Sequence, residues 1–169
     1  MPRTFVQGLA FVAGFWVALW LSPFTIQIAR ADDGAPYAQL ESTFLADVNQ
    51  HRANLHLVPL KRDASLDAVA RAHSEDMARR QFFSHVNPEG QNPLDRIQAS
   101  GRDDFTLAAE NVGLTTRGEP NREILQGWIT SPDHRRNLNT PPFNRTGVGI
   151  ARGADGAWYY TQLYLTVPR

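Results

Sequence analysis

Tyr37, Leu40, Phe44 and Val48 recur at three- and four-residue spacing. That is the stripe of an amphipathic helix, which the pattern carries to about Asn54. Leu57-Val58-Pro59-Leu60 reads as an extended connection, because Pro59 disfavours helix in the residue before it. A second stripe, Leu66, Val69, Ala70, His73 and Met77, predicts another helix with Ser65 as its N-cap. His73 lies on that stripe and is expected as a core histidine satisfied by a hydrogen bond. Phe82 to Pro93 is a polar loop, and Pro93 opens a short helix that closes near Gly101. Thr106 to Thr116 is expected to hold a short strand after Glu110-Asn111. Glu119 to Thr130 reads as a helix burying Ile124, Leu125 and Trp128. Ser131-Pro132-Asp133 looks like a fresh helix start, with a cap, a first-turn proline and an acid near the positive end. Thr146 to Arg152 and Ala157 to Val167 flank Gly153-Ala154-Asp155-Gly156, a hairpin signal. Trp128, Val148 and Leu163 are expected in the core. Helices come mostly first and short strands mostly late, which predicts an α+β fold on a small antiparallel sheet.

The first 31 residues do not fit this pattern. Arg3 is followed by an apolar run from Gly8 to Leu21, and Ala29-Arg30-Ala31 has the small-x-small ending that signal peptidase cleaves after. The expectation is a signal peptide over 1–31, a polar leader over 32–36 and one domain over 37–169. The alternative is a retained membrane anchor, since the apolar stretch from Phe5 to Ile28 is long enough to span. With no cysteine, an exported domain points to a bacterial periplasm or cell exterior, and thiol nucleophiles and thiolate metal sites are excluded. Of 17 basic and 17 acidic residues, the leading segment holds two bases and no acid. The remaining domain is close to neutral, without the basic stripe that nucleic acid or anionic lipid requires.

The candidate chemistry is scattered. Phe83-Ser84-His85, Glu110-Asn111, Trp128-x-x-Ser131-Pro132-Asp133-His134-Arg135, Gly147-Val148-Gly149 and Tyr159-Tyr160-Thr161-Gln162 carry it. Gly147-x-Gly149 lacks the third glycine of a dinucleotide fingerprint, and no Walker, EF-hand, His-Glu-x-x-His or G-x-S-x-G motif occurs. Asn144-Arg145-Thr146 is a formal glycosylation sequon. Three readings of His85, Glu110 and His134 stay open. They match a catalytic zinc set in ligand type, although no two share a local motif. A hydrolase would need Ser84 or Ser131 within reach of a histidine base. Alternatively Glu110 and Asn111 organise loop amides and His134 packs in the first turn of its helix.

The ordered set of motifs resembles the CAP superfamily: cysteine-rich secretory proteins, antigen-five proteins and plant pathogenesis-related proteins. It is nearest to the bacterial SCP-like branch. The resemblance covers roughly Leu40 to Thr166. Asn49-x-x-Arg52 and Ala70-x-x-His73-Ser74-x-x-Met77 match the first two helix signatures, and the segments above follow in family order. It implies an α-β-α sandwich: a small sheet with helices on both faces and a central cleft. In animal members that cleft carries two His and two Glu, sometimes with zinc. His85 falls on the first histidine and Glu110 on the first glutamate. The second glutamate corresponds to Ser131 and the second histidine to Tyr159, while His134 is the histidine of the bacterial branch.

The resulting expectation is a secreted or periplasmic monomer, or an extracytoplasmic protein held by an anchor. It binds a small ligand or a cell-envelope component through a cleft formed by His85, Glu110, His134, Tyr159, Ser131 and Asn111, without enzymatic activity. No nucleic acid and, after cleavage, no membrane is expected as a partner. No cofactor is required, and a divalent metal such as zinc would sit weakly on His85, Glu110 and His134. The alternative is a metal-dependent or His/Glu-assisted hydrolase acting outside the cytoplasm.

Overall fold

The protein, a computed structural model, is described over residues 37–168. The expected signal segment and leader lie outside the described residues. Nine elements follow in order: α1 (Ala38–Asn54), β1 (Lys61–Arg62), α2 (Ala64–Arg80), α3 (Pro93–Ala99), β2 (Leu107–Thr115), α4 (Pro120–Thr130), α5 (Pro132–Asn139), β3 (Arg145–Arg152) and β4 (Trp158–Thr166). The sheet order is β1-β3-β4-β2. β3 and β4 form the expected hairpin, and β2 pairs antiparallel with β4. Only the two-residue β1 runs parallel, beside β3, so the sheet is mixed. β1 is exposed, which leaves no hydrophobic alternation by which to read it.

Alternation along the strands sorts the two faces. Tyr159, Thr161, Leu163 and Leu165 of β4 face α2, where Leu163 and Leu165 pack on Leu66, Val69 and Ala70. Tyr160 and Tyr164 face the other way, into a core with Phe44 and Val48 of α1, Ile124 and Trp128 of α4, and Leu138 of α5. Helices thus cover both faces, giving the α-β-α sandwich. Trp128 (3 % exposed), Val148 (0 %) and Leu163 (0 %) are buried as the pattern predicts.

The Gly147-Val148-Gly149 segment is a packing device. A Cβ on Gly147 would stand 2.2 Å from the Leu66 carbonyl carbon, and one on Gly149 2.1 Å from the Arg71 nitrogen. α2 therefore lies directly on the β3 backbone, and Ser74 Oγ reaches the Gly149 carbonyl at 2.9 Å. The N-cap of α2 is Asp63, not Ser65: its carboxylate accepts from the Ser65 and Leu66 amides and from the Ser65 hydroxyl. A carboxylate two residues earlier outcompetes the hydroxyl at the positive helix end. β2 begins earlier than expected and contains Glu110 and Asn111 instead of following them.

Buried charge ties α1 to the rest. Glu41, wholly buried, accepts from Arg62 and Arg71. Arg52, also wholly buried, donates to four carbonyls: Val58 (3.0 Å), Leu138 (2.7 Å), Thr140 (3.2 Å) and Phe143 (3.3 Å). It fastens the C-terminal end of α5, the helix that starts beside His134.

Candidate functional site

β2 is an edge strand, so Glu110 and Asn111 point to opposite faces beside an open edge. Glu110 faces the α2 and α3 side. Its buried carboxylate accepts from His85 Nδ1 at 2.8 Å and from Arg96 Nη2 at 2.7 Å, so both oxygens are engaged. A carboxylate only accepts, so the ring nitrogen that faces it is the donor. The proton of neutral His85 therefore sits on Nδ1, leaving an unprotonated Nε2. The His85 side chain is 47 % exposed.

Asn111 faces α5. Its amide donates to the His134 carbonyl at 3.1 Å and to Tyr164 Oη at 3.2 Å, and its oxygen accepts from Asn137 at 2.8 Å. Asn111 thus holds α5 through the His134 carbonyl and Asn137. His134 stands in the first turn of that helix. Its ring stacks on Trp128 with centroids 6.1 Å apart, and its Nδ1 meets Ser131 Oγ at 2.8 Å. That contact diverts Ser131 from capping α5, which has no side-chain cap. Burial first, and then the neighbouring His85 imidazole, hold His134 below the ordinary imidazole pKa. The two imidazoles therefore sense each other around the edge of β2, one from each face of the sheet.

A cavity of about 400 Å³ runs along this edge, between Val112–Thr115 of β2 and Trp128, Ser131 and His134. α4 approaches closely because residue 113 is glycine: a Cβ there would lie 2.8 Å from the Ile124 side chain. The Trp128 indole then donates to the Val112 carbonyl at 3.1 Å, and Asn137 donates to the Glu110 carbonyl, also at 3.1 Å. These donors occupy edge carbonyls that another strand could otherwise use.

Not every expected residue reaches the cleft. Tyr159 is buried (5 % exposed) on the α2 face with Met77, Val112 and Ala157. Burial, and then the Asp155 charge, raise its phenol pKa. His85, Glu110 and His134 do not assemble into a metal-binding triad. Among the described residues, no group of three or more His, Asp, Glu or Cys side chains could hold a metal ion. The reason is local: Glu110 is shared between His85 and Arg96, and His134 Nδ1 is turned to Ser131. Ser84 is not paired with His85. Its hydroxyl accepts from the Val86 amide and its carbonyl from His73 Nε2 at 2.9 Å. His73 is the buried core histidine expected, 2 % exposed, with its pKa lowered chiefly by burial.

A larger cavity, about 910 Å³, lies between α2, α3 and the intervening loop. It contains none of the six residues singled out from the sequence, so its size does not make it the site. Asn144 of the sequon is a structural clamp: its amide donates to the Val167 carbonyl at 2.8 Å and its oxygen accepts from the Val167 amide at 3.0 Å. Arg96 and Asn137 belong to the site but carry no local sequence signal. Their contacts with Glu110 span 14 and 27 residues of sequence.

Comparison with known proteins fits this architecture. YkwD of Bacillus subtilis is 30 % identical over 136 residues, 79 % of this chain and 52 % of that protein. The membrane protein YlbC of the same organism is 33 % identical over 125 residues, 74 % of this chain and 34 % of YlbC. The chain therefore spans about half or less of these relatives. An SCP-domain extracellular protein from Bacillus anthracis superposes with a TM-score of 0.65 at 30 % identity, covering 78 % of this chain and 44 % of that one. An outer surface protein from Borrelia burgdorferi reaches a TM-score of 0.71 at 19 % identity, covering 79 % and 97 %, and shows the shared fold. Residues 45–164 match the CAP model, described as the cysteine-rich secretory protein family, and the chain belongs to that family.

Proposed function

We propose that this protein acts outside the cytoplasm as a non-enzymatic CAP domain, binding a small ligand or a cell-envelope partner in the cleft flanked by His85 and His134. One observation carries the reading: Glu110 is buried with both oxygens engaged, by His85 and by Arg96. A carboxylate so committed orients its neighbours and is a poor base or metal ligand. The edge cavity offers the His134 imidazole, the Trp128 ring and the rim of β2, with the half-exposed His85 around the strand edge, a mixed apolar and hydrogen-bonding surface suited to recognition. Family membership and extracellular homologues support the location. The direct test is co-sedimentation of the purified full chain with isolated cell-envelope fragments. Binding should be lost in the double variant His85→Ala, His134→Ala; undiminished binding by that variant would refute the cleft as the contact. Intact-mass measurement of the exported protein should show cleavage after Ala31.

A second reading, hydrolysis, is favoured by the 2.8 Å contact between Ser131 Oγ and His134 Nδ1, a serine within reach of a neutral imidazole. Among the described residues no carboxylate orients the far side of His134, and a local i, i+3 contact at a helix start is common. Fluorophosphonate treatment decides between the two. A covalent adduct on Ser131 establishes the hydrolase, and an unmodified intact mass supports the binding role.

A further inference from the structure

His85 belongs to the loop between α2 and α3, where irregular backbone alone would leave its ring free to rotate. One side chain prevents that. Arg96 is nearly buried, with a side chain 9 % exposed. Its Nη1 donates to the His85 carbonyl at 2.9 Å and to the Gln91 carbonyl at 2.9 Å, and its Nη2 donates to Glu110 at 2.7 Å. Glu110 in turn accepts from His85 Nδ1 at 2.8 Å. The contacts close a ring: His85 backbone, Arg96 guanidinium, Glu110 carboxylate, His85 imidazole. α3 delivers the arginine. Asn92 and Asp95 form a capping box around Pro93, which starts this short helix at a defined residue and so fixes the place of Arg96 within it.

We infer that Arg96 is the positioning residue of the cleft, fixing both the orientation and the tautomer of His85. Two physical features carry this. The guanidinium has donors on separate nitrogens, so it holds the loop carbonyls and the carboxylate at once; an ammonium has no such fork. By taking up one oxygen of Glu110 it also turns the other to His85 Nδ1, so the neutral ring donates from Nδ1 and keeps Nε2 as an acceptor. The other charged or titratable groups around the His85–Glu110 pair are His134, whose pKa His85 lowers, and His73, which feels both Glu110 and Arg96.

The consequence for recognition rests on the reading of the cleft as a binding site, but the test does not. The full chain is labelled with ¹⁵N, and imidazole ¹⁵N–¹H correlations are recorded at about pH 8, above the ordinary imidazole range. Wild type should show His85 as a single tautomer protonated on Nδ1. Arg96→Gln should give mixed tautomers at His85. Arg96→Lys, which keeps the charge but not the fork, should also leave them mixed. His51 on α1, whose Nε2 meets Asn139 at 2.9 Å, serves as the folding control. If Arg96→Gln loses the His51 signature, the charge-conserving variant decides. A folded variant of either kind that retains one Nδ1-protonated His85 overturns the inference. Loss of envelope binding without a change in tautomer would point to the cleft reading alone; a change in tautomer with no envelope binding in wild type would leave Arg96 as the positioning residue and sink the proposed partner.

Discussion

Replacing Arg52 with methionine tests how the α5 side of the cleft is held. Among the described residues Arg52 has no carboxylate partner; its wholly buried charge rests on the carbonyls of Val58, Leu138, Thr140 and Phe143. Burial accordingly pulls its pKa below the ordinary guanidinium value. Each hydrogen bond to a charged group contributes about 1.5–3 kcal/mol net. Four of them give an upper bound of roughly 6–12 kcal/mol. The four bonds share one guanidinium and are not additive, and methionine leaves buried carbonyls without a donor at about 1–3 kcal/mol each. The expected loss is about 3–5 kcal/mol, at the upper end of single-residue effects. The carbonyls of Leu138 and Thr140 end α5, so the damage should be felt at the helix that carries His134. Urea unfolding of Arg52→Met against wild type measures the first effect, and Trp128 fluorescence in the native baseline reports the second. Arg52→Lys should fall between the two, since one ammonium cannot reach carbonyls spread along two chain segments. A stability within about 1 kcal/mol of wild type for Arg52→Met would refute the reasoning: the four carbonyls would then be satisfied without the guanidinium.

Gly149→Ala should destabilise by about 1–3 kcal/mol or more, because its Cβ would meet backbone atoms of α2 at 2.1–2.2 Å and α2 would have to lift from β3. A lowered urea midpoint is the expected result, and an unchanged one would show that α2 does not rest on this strand. Trp128→Ala should cost about 3–5 kcal/mol, since the ring is buried against Phe44 and His134 and bonds the Val112 carbonyl; calorimetry checks it. Stability should also fall in mild acid. The pKa values of His73 and His134 are depressed in the fold, chiefly by burial, so the unfolded chain binds more protons below the ordinary value. Their contribution is complete above about pH 6.5 and is lost as pH falls towards the folded values. His73→Gln should flatten the curve, and a pH-independent stability between about 5 and 7 in wild type would contradict the assignment.

Helix stripes were legible because α1, α2 and α4 each bury one face, which imposes a 3.6-residue period. The hairpin was legible from its glycine turn, where Gly156 adopts a φ of +80°. β1 was not, since two exposed residues carry no pattern. The α2 cap was misplaced by two residues because both Asp63 and Ser65 are good caps, and only the structure shows that Ser65 gives its hydroxyl to Asp63. At the site, residue types located His85, Glu110 and His134, whereas Arg96 stayed hidden. An arginine in a short polar helix resembles a solvated surface charge until the fold brings Glu110 to it.

The same geometry explains why a site that departs from the family tetrad can still be ordered. The resemblance implies Ser131 at the second glutamate position and Tyr159 at the second histidine position, one carboxylate and one imidazole fewer. The Tyr159 position is closed off: its ring lies among Met77, Val112 and Ala157 on the α2 side, where an unpaired imidazole would be buried at a cost. A second imidazole instead enters from the opposite face, on α5, held by Trp128 stacking, by Ser131, and through its backbone by Asn111. The Glu110-Asn111 pair makes both arrangements possible. Because successive strand residues alternate, one side chain fixes His85 on one face while its neighbour fixes the α5 turn on the other. Two adjacent residues on an edge strand thus set the places of His85 and His134, one on each face of the sheet.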